Sequence, residues 1–94
     1  MRLKDKVAIV VGGGQAPGEG IGNGRATSIV FAREGARVVV ADRNIESAQE
    51  TVAQIERTGG TAIAVRTDIT VDADCKALVD TCVARFGRLD ILHN

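Results

Sequence analysis

The spacing of apolar residues along the chain predicts four β-strands. Residues 7–11 and 37–41 form continuous apolar runs, which are typical of strands covered on both faces of a parallel sheet. Residues 61–67 alternate loosely between apolar and polar side chains, and residues 89–92 form a short apolar run. The first two runs predict central strands, and the other two predict a third and a fourth strand.

Apolar residues at helical spacing predict a helix between each strand and the next. We expect the first helix over residues 25–34 and the second over residues 45–57. A third helix would be capped by Thr70 or Asp72 and would end at Gly87. The residues expected on the buried sides are Ala26, Ile29, Val30, Phe31 and Ala32 in the first helix, Ala48, Val52 and Ile55 in the second, and Leu78, Val79, Cys82, Val83 and Phe86 in the third.

This βαβαβαβ order predicts the α/β fold class with a doubly wound parallel sheet. Crossovers of this kind are right-handed, so the expected strand order is 3-2-1-4. The ligand crevice of such a sheet lies at the carboxyl ends of strands one and four. Strand four would be an apolar edge, which natural proteins cover, so we expect the 94 residues to be the N-terminal part of one longer domain.

The segment between the first strand and the first helix, residues 12–24, reads GGGQAPGEGIGNG. Glycine lets a backbone approach a ligand closely, and the free N–H groups at a helix N-terminus favour a bound pyrophosphate. A strand before such a loop, a helix after it and an acidic residue about 20 positions further on form a dinucleotide-binding fingerprint. Asp42, which follows the second apolar run, is that acidic residue. A flexible linker of the same composition is the alternative interpretation.

Composition argues against several other classes of protein. Twelve basic and twelve acidic residues give no net charge, and no basic cluster suggests a nucleic-acid partner. The sequence has neither a secretory signal nor an apolar run of the ~18 residues that a membrane span needs, so we expect no membrane partner and a cytoplasmic location. Cys75 and Cys82 are too far apart along one helix for a disulfide, and we interpret them as core side chains rather than metal ligands.

Three segments resemble the short-chain dehydrogenase/reductase family. Residues 22–44, GNGRATSIVFAREGARVVVADRN, resemble its glycine turn, first helix and second strand without a gap. Residues 68–70, Asp-Ile-Thr, resemble its Asp-Val motif, and residues 86–92, FGRLDIL, resemble the run before its Asn-Asn-Ala-Gly motif, with Asn94 as the first Asn. The likeness covers the whole chain and implies a Rossmann-type fold.

The loop and the catalytic residues depart from the family pattern. Val11-Gly12 stands where the family has Thr-Gly, and the loop is longer by four or six residues, depending on whether residues 20–22 or 22–24 match Gly-Ile-Gly. We favour residues 22–24, because the helix then stays in register. The family's catalytic Ser and Tyr-x-x-x-Lys are missing, and the sequence has no Tyr, so we expect the 94 residues alone to be inactive.

The resemblance implies a set of cofactor contacts. Asp42 would accept hydrogen bonds from the adenosine ribose and repel a 2′-phosphate, so NAD is the expected cofactor, while Arg43 keeps NADP as an alternative. Asp68 and Ile69 would flank the adenine, although Asp68 could be only a turn residue and Asp42 only a helix cap. The expected contacts are Gly12, Gly14, Gln15, Gly18, Gly22, Asn23, Gly24, Asp42, Arg43, Asp68, Ile69 and Asn94.

Other polar residues are interpreted as structural. Residues 15–17, Gln-Ala-Pro, would either shield the pyrophosphate or form a surface excursion, and His93 is expected to be structural rather than catalytic. The arginines expected on solvated helix faces and strand ends are Arg25, Arg33, Arg66, Arg85 and Arg88.

Together these features predict an oxidoreductase that moves hydride between NAD(P) and an alcohol or carbonyl substrate. When complete it would be a homo-oligomer, and these residues would supply its dinucleotide-binding part. Two alternatives stay open: a nucleotide-binding module without catalysis, and a methyltransferase that uses S-adenosylmethionine. The methyltransferase fold also has a glycine loop after strand one and an acid after strand two, but its ligand carries no phosphate.

Overall fold

A computed structural model describes residues 2–14 and 23–94, in which strands and helices alternate. The elements in chain order are β1 (Val7–Val11), α1 (Asn23–Arg33), β2 (Arg37–Asp42), α2 (Ile45–Arg57), β3 (Thr61–Arg66), α3 (Asp72–Phe86) and β4 (Ile91–His93). The βαβαβαβ prediction is confirmed, with boundary shifts at α1, β2, β3 and β4.

The four strands form a parallel sheet in the order β3-β2-β1-β4, as predicted. Val11 pairs with Ala41, so the next residues, Gly12 after β1 and Asp42 at the end of β2, lie side by side. Val10 pairs with His93, which brings Asn94 next to Val11 at the same edge. The register therefore places three of the predicted cofactor contacts, Gly12, Asp42 and Asn94, at the carboxyl end of the sheet.

Helices α1 and α2 cover one face of the sheet. The apolar residues of α2 contact this face as its periodicity predicted: Ala48 and Ile55 are fully buried, and Val52 packs against the same cluster. In α1 the prediction was partly wrong, because Ala26 is exposed and Val30 is 49% exposed.

The buried side of α1 instead carries small and polar residues. Arg25, Ser28 and Ala32 are buried, and they recur at a spacing of three to four residues along the helix. The helix begins in contact with the loop backbone, where a Cβ on Gly24 would overlap the Gly12 carbonyl oxygen. The apolar Val30 is thereby rotated outward.

Helix α3 covers part of the opposite face. Leu78 and Cys82 are buried among Val7, Ile9 and Val39 of the sheet, which confirms the core prediction for these two residues of α3. The same prediction was wrong for two other residues of α3. Val79 is 40% exposed and Val83 is 45% exposed, because the contact of α3 with the sheet does not cover them.

The two ends of α3 test the predicted caps of this helix. Val71 is the N-cap of α3 and makes no side-chain cap bond, so neither Thr70 nor Asp72 caps this helix as predicted. The side chain of Asp68 bonds Thr70 instead, which takes the Thr70 hydroxyl away from the helix. Gly87 ends α3 in the left-handed conformation, as predicted.

Both cysteines are free thiols, and burial raises the pKa of the Cys82 thiol. In the part of the chain that the structure describes, no helix is long and apolar enough to cross a membrane.

Candidate functional site

The start of the glycine-rich loop is held against the end of β2. The Gly12 and Gly13 N–H groups both donate to the carbonyl oxygen of Ala41, at 2.8 and 3.1 Å. Gly24 in the first turn of α1 lies so close that a Cβ there would overlap the Gly12 carbonyl oxygen. Gly24 thus permits the close approach of α1 to the end of β1.

Asp42 lies at the end of β2 with both carboxylate oxygens directed by backbone donors. Its Oδ2 accepts from the Gly14 N–H at 3.0 Å, and its Oδ1 accepts from the Asn44 N–H at 2.9 Å. Asn44 is itself the N-cap of α2, since its Oδ1 accepts from the Ser47 N–H. The alternative interpretation of Asp42 as the cap of α2 is therefore wrong.

A cavity of about 250 Å³ opens between the ends of β1, β2 and β3. Its lining includes four of the predicted contacts, Gly12, Asp42, Arg43 and Ile69. A Cβ at Gly12 would meet nothing within 4 Å, so the backbone there is open toward a ligand. The cavity offers a carboxylate, a cation, an apolar side chain and accessible backbone within one volume.

A second cavity, of about 280 Å³, lies beside the first. Val11 and Ile69 contribute to the lining of both cavities, and Asn94 contributes to the second. The two volumes therefore follow the carboxyl edge of the sheet from β2 across β1 to β4. This path has the direction that an extended dinucleotide needs on a doubly wound sheet.

Asp68 has a local structural role. Its Oδ1 accepts from the Thr70 N–H at 2.9 Å and from the Thr70 hydroxyl at 2.6 Å. These two bonds lower the pKa of the Asp68 carboxyl below 3.8. The turn interpretation of Asp68 is supported by this geometry, and the predicted contact with adenine is not tested by it.

Arg25 is the residue that the sequence argument most clearly missed. It was expected on a solvated face, but it is only 5% exposed. Its Nε donates to the Thr51 hydroxyl at 2.9 Å, and its Nη2 donates to the Ser47 carbonyl oxygen at 3.1 Å and faces Glu50 at 3.3 Å. The signal in the sequence was the spacing of Arg25, Ser28 and Ala32, which places the three on one side of a helix.

Several predicted residues cannot be placed. Gln15, Gly18 and Gly22 lie outside the described residues, as do Pro17 and most of the insertion. The backbone of Asn23 begins α1, but its side chain also lies outside the described part. The predicted structural role of His93 fits its contact: its ring packs edge-to-face against Phe31 of α1, with the ring centroids 6.1 Å apart.

The chain is similar in sequence to known dehydrogenases. The model of the short chain dehydrogenase family matches residues 6–94. A 7alpha-hydroxysteroid dehydrogenase of Escherichia coli K12 is 40% identical over 94 residues, which are 100% of this chain and 34% of that protein. A cyclohexanol dehydrogenase of Acinetobacter sp. SE19 is 36% identical over 93 residues, 99% of this chain and 35% of that protein.

A solved structure shows the same fold with ligands bound. It is a 7 alpha-hydroxysteroid dehydrogenase complexed with NADH and 7-oxo glycochenodeoxycholic acid. The match has a TM-score of 0.89 at 41% identity and covers 97% of this chain and 33% of that one. The chain thus spans about a third of the length of the curated relatives it matches. By its sequence and its Rossmann-type sheet, the chain belongs to the short chain dehydrogenase family.

Proposed function

We propose that the full-length protein is an NAD-dependent oxidoreductase that transfers hydride between the nicotinamide and a carbon of an alcohol or carbonyl substrate. In this proposal residues 1–94 form the N-terminal part of one dinucleotide-binding domain and hold the adenosine side of the cofactor. The catalytic Tyr that the family resemblance implies would come from a part of the protein outside these residues. The substrate-binding residues would lie there as well.

The observation that carries the proposal is the placement of Asp42. Its carboxylate borders a cavity that also exposes the Gly12 backbone, and the Gly14 and Asn44 N–H groups fix its direction. A carboxylate held in this way can accept hydrogen bonds from both hydroxyls of a ribose. The described residues therefore fit the adenosine half of NAD.

The same carboxylate supports NAD over NADP. A 2′-phosphate placed about 4 Å from Asp42 would meet a like charge, which costs roughly 4 kcal/mol per unit charge at an effective dielectric of 20. Arg43 lines the same cavity and is the group that would oppose this preference. When bound, the nicotinamide would accept or donate the hydride.

The names of the relatives support an alcohol as the substrate. One acts on a 7alpha-hydroxysteroid and another on cyclohexanol. We infer that this protein oxidises an alcohol to a ketone or catalyses the reverse. A homo-oligomer and a cytoplasmic location stay part of the proposal.

Two measurements test the proposal against its alternatives. Thermal unfolding of the full-length protein should shift upward with saturating NADH, because a ligand that binds only the folded state stabilises it. S-adenosylmethionine, which has no phosphate, should cause no shift, and the reverse pattern would support a methyltransferase. NAD reduction with cyclohexanol or a hydroxysteroid would then separate a dehydrogenase from a binding module, which should bind NADH without turnover.

A further inference from the structure

One peptide unit of the glycine loop is bonded at both of its ends. The Gly13 carbonyl oxygen accepts from the Thr51 hydroxyl of α2 at 2.8 Å, and this contact is buried. The N–H of the same peptide unit belongs to Gly14 and donates to Asp42 Oδ2 at 3.0 Å. Rotation of this peptide plane would break both bonds at once.

Thr51 is itself held by a buried cation. Arg25 Nε donates to the Thr51 oxygen at 2.9 Å, so the Thr51 hydrogen is directed away from Arg25. Of the two acceptors in reach, the Gly13 carbonyl oxygen at 2.8 Å is nearer than the Ser47 carbonyl oxygen at 3.4 Å. Thr51 is fully buried, and Arg25 is 5% exposed. Since Arg25 also bonds the Ser47 carbonyl oxygen one turn earlier in α2, its guanidinium cannot easily turn away from Thr51.

These bonds form a continuous series from α1 to the proposed ribose acceptor. Arg25 orients Thr51, Thr51 orients the Gly13–Gly14 peptide, and the Gly14 N–H orients the Asp42 carboxylate. Among the described residues, no buried side-chain nitrogen or oxygen lacks a hydrogen-bond partner. Loss of the Thr51 hydroxyl would remove the buried hydrogen bond to the Gly13 carbonyl oxygen.

From this series we propose that Thr51 and Arg25 are positioning residues for cofactor selection. They touch no cofactor in this scheme; they act through the Gly13–Gly14 peptide and set the direction in which Asp42 meets the 2′-hydroxyl. This inference rests on the proposed dinucleotide function and adds residues of α1 and α2 to it. Loss of this positioning should weaken NAD binding more than NADP binding, because only NAD carries a free 2′-hydroxyl for Asp42 to bind.

The test compares NADH and NADPH binding to the full-length protein by fluorescence titration. Thr51→Val keeps the shape of the side chain and removes the hydroxyl. We expect it to weaken NADH binding about tenfold, which corresponds to one lost hydrogen bond, and NADPH binding by less than about twofold. Thr51→Ser retains the hydroxyl and should restore NADH affinity to within about twofold of the wild type.

Two further variants separate positioning from general destabilisation. Ile55→Val shortens a fully buried side chain one turn further along α2, so it should lower the melting temperature without changing the ratio of NADH to NADPH affinity. Arg25→Lys keeps the charge but lacks the planar fork whose Nε and Nη2 bond Thr51 and Ser47, so it should shift the ratio in the same direction as Thr51→Val. If Thr51→Val does not fold, the Arg25→Lys ratio decides.

A double-mutant comparison tests the route through Asp42. Once Asp42→Ala has removed the carboxylate, adding Thr51→Val should weaken NADH binding by less than about twofold, because nothing is left to position. Equal loss of NADH and NADPH affinity in Thr51→Val, or full additivity with Asp42→Ala, would overturn the inference. A wild-type protein that does not bind NADH would instead overturn the proposed function. NADH binding that depends on Asp42 but not on Thr51 or Arg25 would overturn this inference alone.

Discussion

The two sides of the proposed cofactor path are built differently. Around Asp42, the contacts are polar and internal: the Gly13–Gly14 peptide is bonded at both ends, and Arg25, which holds Thr51, is 5% exposed. Around α3 and β4, apolar side chains face outward, with Val83 45% and Leu92 62% exposed. In this second region, Asp90 bonds Val7 of β1 through both its side chain and its backbone N–H.

This difference shows that internal contacts fix the orientation of Asp42 more firmly than the position of Asn94. The direction of Asp42 is fixed by donors from the loop and from the start of α2. The position of Asn94 depends on the short strand β4, which pairs only with β1 among the described strands. Substitutions near Asp42 should therefore change both binding and stability, while those on the exposed side of α3 should change little.

The largest effect is expected from Gly24→Ala. The new methyl group would overlap the Gly12 carbonyl oxygen, which is backbone and cannot swing aside. We expect a loss of about 3 kcal/mol in unfolding free energy, at the upper end for overpacking. Displacement of α1 from the loop should weaken NADH binding about 100-fold. Chemical denaturation and NADH titration measure the two effects.

Gly59→Ala is the matched control for this substitution. Gly59 has a positive φ of 84° in open space, so alanine there costs only the backbone strain, about 1 kcal/mol. It lies after α2, away from the proposed site, and NADH affinity should not change. Equal losses of NADH affinity in both glycine variants would show that the contact of α1 with Gly12 is unimportant for binding.

The next largest effect is the difference in unfolding free energy between substitutions of a buried and of an exposed arginine. Arg25→Met should lower the unfolding free energy by about 2 kcal/mol, because it removes the two buried hydrogen bonds that Arg25 donates to the Thr51 hydroxyl and to the Ser47 carbonyl oxygen. Arg85→Met, on the exposed side of α3, should change it by less than about 0.5 kcal/mol. Similar values for the two variants, measured by urea denaturation, would mean that Arg25 is solvated as its sequence context suggested.

The smallest effect concerns the pH dependence contributed by Asp90. Its Oδ2 accepts from the Val7 N–H at 2.9 Å, and its Oδ1 bonds Arg88 at 2.7 Å. The Arg88 hydrogen bond and then the Val7 N–H lower the pKa of the Asp90 carboxyl below 3.8. A lowered pKa in the folded state contributes stability above pH 3.8 that is lost as the pH falls through the folded value.

Asp90→Asn tests this contribution because it cannot ionise. The wild type should be the more stable of the two near neutral pH, and the difference should shrink once the pH falls below about 4. Urea denaturation at a series of pH values gives both curves. A difference that stays constant through this range would show that the ionised carboxylate contributes nothing.

Most of the fold could be predicted because apolar residues recur at different spacings in strands and in helices. The continuous runs at β1 and β2 and the apolar spacing of α2 led directly to the observed sheet and to the burial of Ala48 and Ile55. The outward rotation of Val30 could not be predicted in the same way. It follows from the contact between Gly24 and Gly12, which is a tertiary constraint that overrides the apolar pattern of α1.

The site was predicted only in part. The motif located Gly12 and Asp42 and the register brings them together, because β1 and β2 are parallel neighbours. The burial of Arg25 was missed, since a charged residue after a loop is usually solvated. Its acceptors lie on α2, more than twenty residues away, and only the packing of the two helices reveals them.

The most direct test of the central claim is the pair of dissociation constants for NADH and NADPH, measured on the full-length wild type and on Asp42→Ala. We expect the wild type to prefer NADH. The variant should bind NADH about tenfold more weakly through loss of the ribose contacts, and NADPH more tightly through loss of the like charge. A wild type that prefers NADPH, or a variant whose two constants are unchanged, would contradict the assignment of Asp42 as the ribose-binding carboxylate and would make Arg43 the selecting residue.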